Sequence, residues 1–108
     1  MSGLDNTSMT VRASTATAET LSQTDYVLLL TPGAATAVTL PSAATVQPGR
    51  AYFVYKTAAA FTVTITPATG LVDGGASTTL LTGQVHCKRF ISDGTNWFTI
   101  SEYDALAA

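Results

Sequence analysis

The sequence predicts an all-β chain, a small antiparallel β-sandwich or barrel-like domain behind an extended N-terminal arm. From Asp25 onward, Thr or another polar residue alternates with Val, Leu, Ile, Phe or Tyr. That period of two belongs to strands. Pro and Gly bound each alternating stretch at intervals of about ten residues, the spacing of antiparallel sandwiches and barrels. Helix is scarce: only Ser42 to Val46 and the tail from Glu102 to Ala108 could form a turn or two.

Residues 1–24 read as the arm. They are rich in Ser, Thr and Ala, with large apolar side chains only at Leu4, Met9, Val11 and Leu21. Such a segment buries too little apolar area to offset its ordering entropy alone, so it is expected to order against a partner surface. A short strand around Thr10 to Ala16 is compatible with its pattern.

The β-domain spans 25–101, with strands expected at Tyr26 to Thr31, Ala37 to Leu40, Ala51 to Thr57, Phe61 to Thr66, Thr78 to Leu81, Gln84 to Ile91 and Trp97 to Ser101. Residues 102–108 form a C-terminal tail. Pro32-Gly33 and Pro48-Gly49 set the φ values of tight turns, and Asp73-Gly74-Gly75 tolerates positive φ. Ser92-Asp93-Gly94-Thr95-Asn96 connects two strongly alternating stretches and is the clearest hairpin. In Phe61-Thr62-Val63-Thr64-Ile65-Thr66 the apolar residues fall on one face and the threonines on the other, so one face is buried and one is wet.

Composition adds an expectation about assembly. Charged residues are 11% of the 108, against roughly 25% in ordinary soluble domains. Alanine supplies about a third of the hydrophobic residues, and fewer than a quarter of all residues are Leu, Ile, Val or Phe. A chain this short with so thin an apolar supply is expected to complete part of its core with other copies of itself.

The net charge of -2 offers no basic footprint for nucleic acid. No run of 18 apolar residues and no basic stretch ahead of an apolar core is present, so neither a membrane span nor a signal peptide is expected. The one cysteine, Cys87, fits folding in a reducing cytosol.

Residues that could carry chemistry are few. His86 and Cys87 are neighbours on an expected strand and point to opposite faces, so they form no dyad. A metal site needs three or four ligands, and the chain has no other His or Cys. The expected arrangement is a half-exposed histidine and a small buried cysteine. Asp73 and Asp93 each precede glycine, the pattern a turn requires. Gly70 to Gly75 lacks the Lys-Ser/Thr ending of a phosphate loop. No enzymatic activity, cofactor or metal is expected.

Of the five basic residues, Arg50, Lys56, Lys88 and Arg89 fall in the β region, while Asp5, Glu19, Glu102 and Asp104 lie near the ends. Either the acidic termini of one copy meet the basic body of another, or the arm meets a basic surface on a host lattice. The stretch Ala51 to Thr57 is apolar on both faces, with Tyr52 and Val54 on one and Phe53 and Tyr55 on the other. It is therefore central, or one face lies against another subunit. Tyr52, Val54, Phe61 and Trp97 are the candidate subunit-interface residues.

Ala37-Val38-Thr39-Leu40-Pro41, Pro48 through Thr57, Phe61 through Pro67, Val72-Asp73-Gly74 and Ser92 through Ile100 together resemble a β-rich domain of tailed-bacteriophage virion proteins, found in tail fibres and in capsid decoration proteins. The resemblance covers about residues 25–101. It implies a virion component, commonly a homotrimer, made in the host cytoplasm. A short arm and one compact domain leave no length for a fibre shaft. The expected role is therefore a decoration (cement) protein on the outer surface of the head, with the major capsid protein as partner. Leu4, Met9, Val11 and Arg12 in the arm are the candidate capsid contacts. The alternative is a fibre tip that binds a host receptor or glycan through the loops Thr69 to Ser77 and Ser92 to Asn96. No nucleic acid or membrane partner is expected.

Overall fold

The computed structural model describes residues 10–80 and 84–106, and their regular secondary structure is nearly all strand. The strands are β1 (Thr10–Ser14), β2 (Ala18–Thr20), β3 (Asp25–Leu30), β4 (Thr36–Leu40), β5 (Ala51–Lys56), β6 (Val63–Pro67), β7 (Thr78–Leu80), β8 (Gln84–Ser92) and β9 (Trp97–Leu106), with a 3-10 turn at Ala43–Thr45. They form a five-stranded sheet in the order β1-β3-β5-β8-β9 and a four-stranded sheet in the order β2-β4-β6-β7.

The all-β expectation holds, but the antiparallel expectation does not. β1, β3 and β5 pair in parallel, as do β2, β4 and β6. Only β5-β8, β8-β9 and β6-β7 are antiparallel. The reason is that the chain crosses from one sheet to the other at each turn until β6, so consecutive strands face each other instead of pairing. It thus winds three stacked coils, β1-β2, β3-β4 and β5-β6, which the antiparallel strands close at one side. Pro32-Gly33 turns such a corner and joins no hairpin.

Small residues make the corners stackable. Thr31-Pro32-Gly33-Ala34-Ala35 and Thr57-Ala58-Ala59-Ala60 bring successive crossings close enough for backbone bonds. The Thr31 N–H donates to Ser14 O at 3.0 Å, and the Thr57 N–H to Leu30 O at 2.7 Å. The Thr31 and Thr57 hydroxyls bond each other at 2.7 Å.

The described part of the N-terminal stretch belongs to the sheets. β1 lies beside β3 and β2 beside β4, so residues 10–20 form the first coil. Residues 1–9 lie outside the described residues. The C-terminal stretch, expected as a tail after Ser101, extends β9 to Leu106. The Ser92 to Asn96 hairpin joins β8 and β9 as the turn residues predict.

The core lies between the sheets and is built from Leu21, Leu28, Leu30, Val38, Leu40, Ala43, Tyr52, Val54, Val63, Ile65, Val72, Leu80, Phe90 and Trp97. None of residues 10–20 contributes to it. The first coil is held instead by pairing and by charge. Arg12 donates to both Asp25 carboxylate oxygens at 3.1 Å and to Glu19 at 2.7 Å. The Ser14 hydroxyl also reaches Glu19.

Candidate functional site: the outer face of the five-stranded sheet

The two outer faces of the sandwich differ in chemistry. Register aligns Ala18, Ala37, Thr64 and Thr79 in one outward row of the four-stranded sheet and Thr20, Thr39 and Thr66 in another. Threonine suits a wet strand face, because its branched carbon favours extended backbone while its hydroxyl stays solvated. This is the one-sided burial that the Thr-alternating sequence predicts.

The five-stranded sheet has no such wet face. Its outward rows are Val11, Val27, Phe53, Arg89 and Ser101, then Ala13, Leu29, Tyr55, Cys87 and Tyr103, with Ile91 opposite Phe98 at the hairpin end. Two strands in it are apolar almost without interruption, Tyr26-Val27-Leu28-Leu29-Leu30 and Ala51-Tyr52-Phe53-Val54-Tyr55. Such runs occur where a strand is covered on both sides. Here Leu28, Leu30, Tyr52 and Val54 fill the core, while Val27, Leu29, Phe53 and Tyr55 are only half-buried. Phe98 is 40%, Ile100 45% and Tyr103 54% exposed, so β9 carries much of the uncovered apolar area.

Aromatic contacts fix this surface in shape. Tyr26 meets Phe53 edge-on at 5.7 Å, and Tyr55 stacks on Tyr103 at 6.4 Å. The Arg89 guanidinium lies over the Phe53 ring at 5.3 Å. Cys87 is buried beneath this layer, and burial pushes its thiol up to about 11, which keeps it protonated and poorly nucleophilic at neutral pH.

The expected interface residues are placed differently. Tyr52, Val54 and Trp97 are fully buried in the subunit's own core. Alternation distinguishes two faces of a strand but does not tell which one meets the second sheet, and the inward face is the Tyr52, Val54 and Lys56 one. Phe61 is 43% exposed and lies before β6, at a φ of 70. Among the candidate capsid contacts, Val11 is exposed at the edge strand, Arg12 is engaged with Glu19 and Asp25, and Leu4 and Met9 lie outside the described residues.

The basic residues resolve into separate roles. Arg50 donates to the carbonyls of Gln23, Asp25 and Ala51 and packs over Tyr52. Lys56 is fully buried, and its ammonium donates to Ala58 O and Ala59 O at 3.0 Å each, which ties down the corner loop. Burial lowers its pKa. The Lys88 ammonium donates to the Thr78 hydroxyl across the sandwich. Arg89 alone of the four stands on the outer face of the five-stranded sheet.

His86 and Cys87 do point to opposite faces, but His86 is buried instead of half-exposed and contacts Glu102 at 2.5 Å. Among the described residues no three His, Cys, Asp or Glu side chains gather as a metal would require.

The two loops that could serve as a fibre tip are joined into one surface. The Trp97 N–H donates to Leu71 O and the Asp73 N–H to Trp97 O. Asn96 Oδ1 accepts from the Leu71 N–H, and the Asp73 carboxylate accepts from the N–H and hydroxyl of Thr99. Asp93 accepts the amides of Thr95 and Asn96, which lowers its pKa. Gly70 is required at the crossing, since a Cβ there would stand 2.7 Å from Thr95 O.

A cavity of about 420 Å³ opens near Gln23, Val46, Gln47 and Arg50, but it has no aromatic platform, and its arginine is already bonded to backbone carbonyls. The outer face of the five-stranded sheet is therefore the strongest candidate for binding. No protein-family model and no curated protein sequence matches this chain.

Proposed function

We propose that the protein decorates the outer surface of a tailed-bacteriophage head, binding the major capsid protein as a homotrimer and stabilising the shell. What carries this reading is the contrast between the two sheet faces. One is hydroxylated and suited to solvent. The other is a largely apolar and aromatic face that a free monomer would leave uncovered. The resemblance of residues 25–101 to phage virion domains supplies the setting.

Mechanistically, a protein that binds the assembled lattice and not its free subunits shifts the equilibrium toward the assembled state. Three linked copies engage neighbouring lattice sites at high effective concentration, so weak individual contacts suffice. In this reading the five-stranded sheet serves the contact between copies, and residues 1–9, with Leu4 and Met9, reach the capsid.

The experiment is removal of residues 1–9, which spares β1 and β2. The shortened protein is expected to keep its oligomeric state and to lose co-sedimentation with capsids. Undiminished co-sedimentation would contradict the role given to this segment. A fibre-tip role is the second reading, favoured by the joined loops at Leu71 to Asp73 and Asn96 to Thr99. Copy number separates the two, because a decoration protein is present over the whole shell and a tip protein in a few copies.

A further inference from the structure

Among the described residues, Arg89 is the one charged side chain at an outward register position of the five-stranded sheet. It sits in the middle of the face, with Phe53 on one side, Ser101 on the other and Cys87 and Ile91 at the adjacent outward positions of β8. The guanidinium carbon lies over the Phe53 ring, 5.3 Å from its centre. In that pose its Nε is shut off from solvent and has no hydrogen-bond partner among the described residues. A buried donor with no acceptor forfeits the hydrogen bonds water would give it. The pose is therefore easily exchanged for one that satisfies the group. Lifted off the ring, the same side chain presents Nε and Nη as a fork that fits a carboxylate.

We infer that this face is covered by a second copy of the chain, and that Arg89 there receives a carboxylate from that copy. The inference rests on the reading of the face as a contact between copies and adds the residue that gives the contact its specificity. Charge complementarity is the ground for choosing a second copy. The chain exposes carboxylates at Asp73, Asp93 and Glu102, none of them at an outward register position of this sheet. An arginine in the centre of an apolar contact is costly unless an acceptor meets it. A face-to-face two-fold pairing centred here would bring Arg89 against its own copy. The contact is therefore heterologous, with the apolar face of one copy set against an acid-bearing surface of the next, an arrangement that forms a ring where the rotation between copies closes.

The test is the oligomeric state of the full chain by sedimentation equilibrium, for the wild type, Arg89→Leu and Arg89→Lys, with Trp97 fluorescence as the check on folding. Arg89→Leu makes the face more apolar. If apolar area alone drove association, this variant would associate as well as the wild type or better. The ion pair predicts weakening by about tenfold or more. Arg89→Lys should fall between, since it keeps the charge and loses the fork.

A wild type that associates while Arg89→Leu does not supports the inference. Equal association of the two overturns the role of Arg89 and leaves self-association standing. A wild type that is monomeric at every concentration overturns both. Should the leucine variant fail to fold, the salt dependence of wild-type association decides. Weakening with added salt supports the ion pair, and insensitivity overturns it.

Discussion

Trp97→Ala is expected to destabilise the protein by about 3–5 kcal/mol, the cost of truncating a large aromatic in a packed core. The residue is fully buried. Its indole N–H donates to Pro41 O at 2.9 Å, and its ring meets Tyr52 at 5.5 Å. Its own backbone joins the 69–77 loop to β9 through Leu71 and Asp73. One side chain thus fastens the β4 end, β5 and the hairpin together. A domain of this length has roughly 5–15 kcal/mol in total, so the loss consumes a large share. Urea unfolding measures it. Trp97→Phe should cost less than Trp97→Ala, because the ring contact with Tyr52 is retained and mainly the donor to Pro41 is lost, about 1–3 kcal/mol. Equal costs for the two substitutions would contradict the weight given to packing.

The second large effect is expected at Arg12. Arg12→Ala removes the cation shared by Asp25 and Glu19, and Asp25 is buried at 4% exposure. Stranding a buried carboxylate costs about 3–5 kcal/mol. Arg12 is itself 36% exposed in its side chain, and solvent screening brings the expectation down to about 1–3 kcal/mol. The loss should be local. No residue of the first coil belongs to the core, so amide exchange should accelerate over Thr10 to Thr20 while β5 and β8 stay protected. Asp25→Asn added to Arg12→Ala should recover part of the loss, since the stranded charge is then gone.

Acid should act on the same coil. Burial pushes the Asp25 carboxyl up, but the Arg12 guanidinium and the Ser22 N–H outweigh this and hold it below its ordinary value. Glu19 is lowered chiefly by the Ser14 hydroxyl and then by Arg12. The charged groups facing Asp25 are Arg12 and Glu19, with Arg50 bonded to its backbone carbonyl. A lowered folded pKa contributes stability above the unfolded value and loses it as pH falls through the folded one. The contribution is therefore complete at neutral pH and erodes below about pH 4. Exchange over Thr10 to Thr20 measured from pH 6 downward, corrected for intrinsic rates, should show protection falling there first. Uniform loss across both sheets would contradict a separately held first coil.

Strand content was legible because alternation is a local property. Val63, Ile65 and Leu80 face inward where the pattern puts them. The two-sided apolar pattern of Ala51 to Lys56 left open a central strand or a face against another subunit; β5 is the middle strand of its sheet, with Phe53 and Tyr55 on its outer face only half-buried. Pairing was not. Pro32-Gly33 marks a bend equally well whether the next strand returns beside its predecessor or crosses to an opposite sheet. Parallel neighbours such as Val27 and Phe53 are set by distant packing.

Thr10 to Ser14 carried a recognisable strand pattern, yet its anchorage comes from Arg12 meeting Asp25 and Glu19, partners that no spacing announces. Tyr52, Val54 and Trp97, expected at a contact between subunits, are fully buried within the subunit. The face-defining residues Val27, Leu29, Phe53 and Arg89 emerge only once the second sheet shows which side is inward. Arg89 was visible as one of four basic residues in the β region. What sets it apart is that Arg50, Lys56 and Lys88 are engaged elsewhere within the subunit.

The most direct measurement of the central claim is a cryo-electron microscopy reconstruction of the particle that carries this protein. Density for 11.2 kDa subunits is expected to repeat over the capsid, with the outer face of the five-stranded sheet covered by a neighbouring copy and the threonine face turned to solvent. Density confined to the tail, or a five-stranded sheet left facing solvent on the shell, would contradict it.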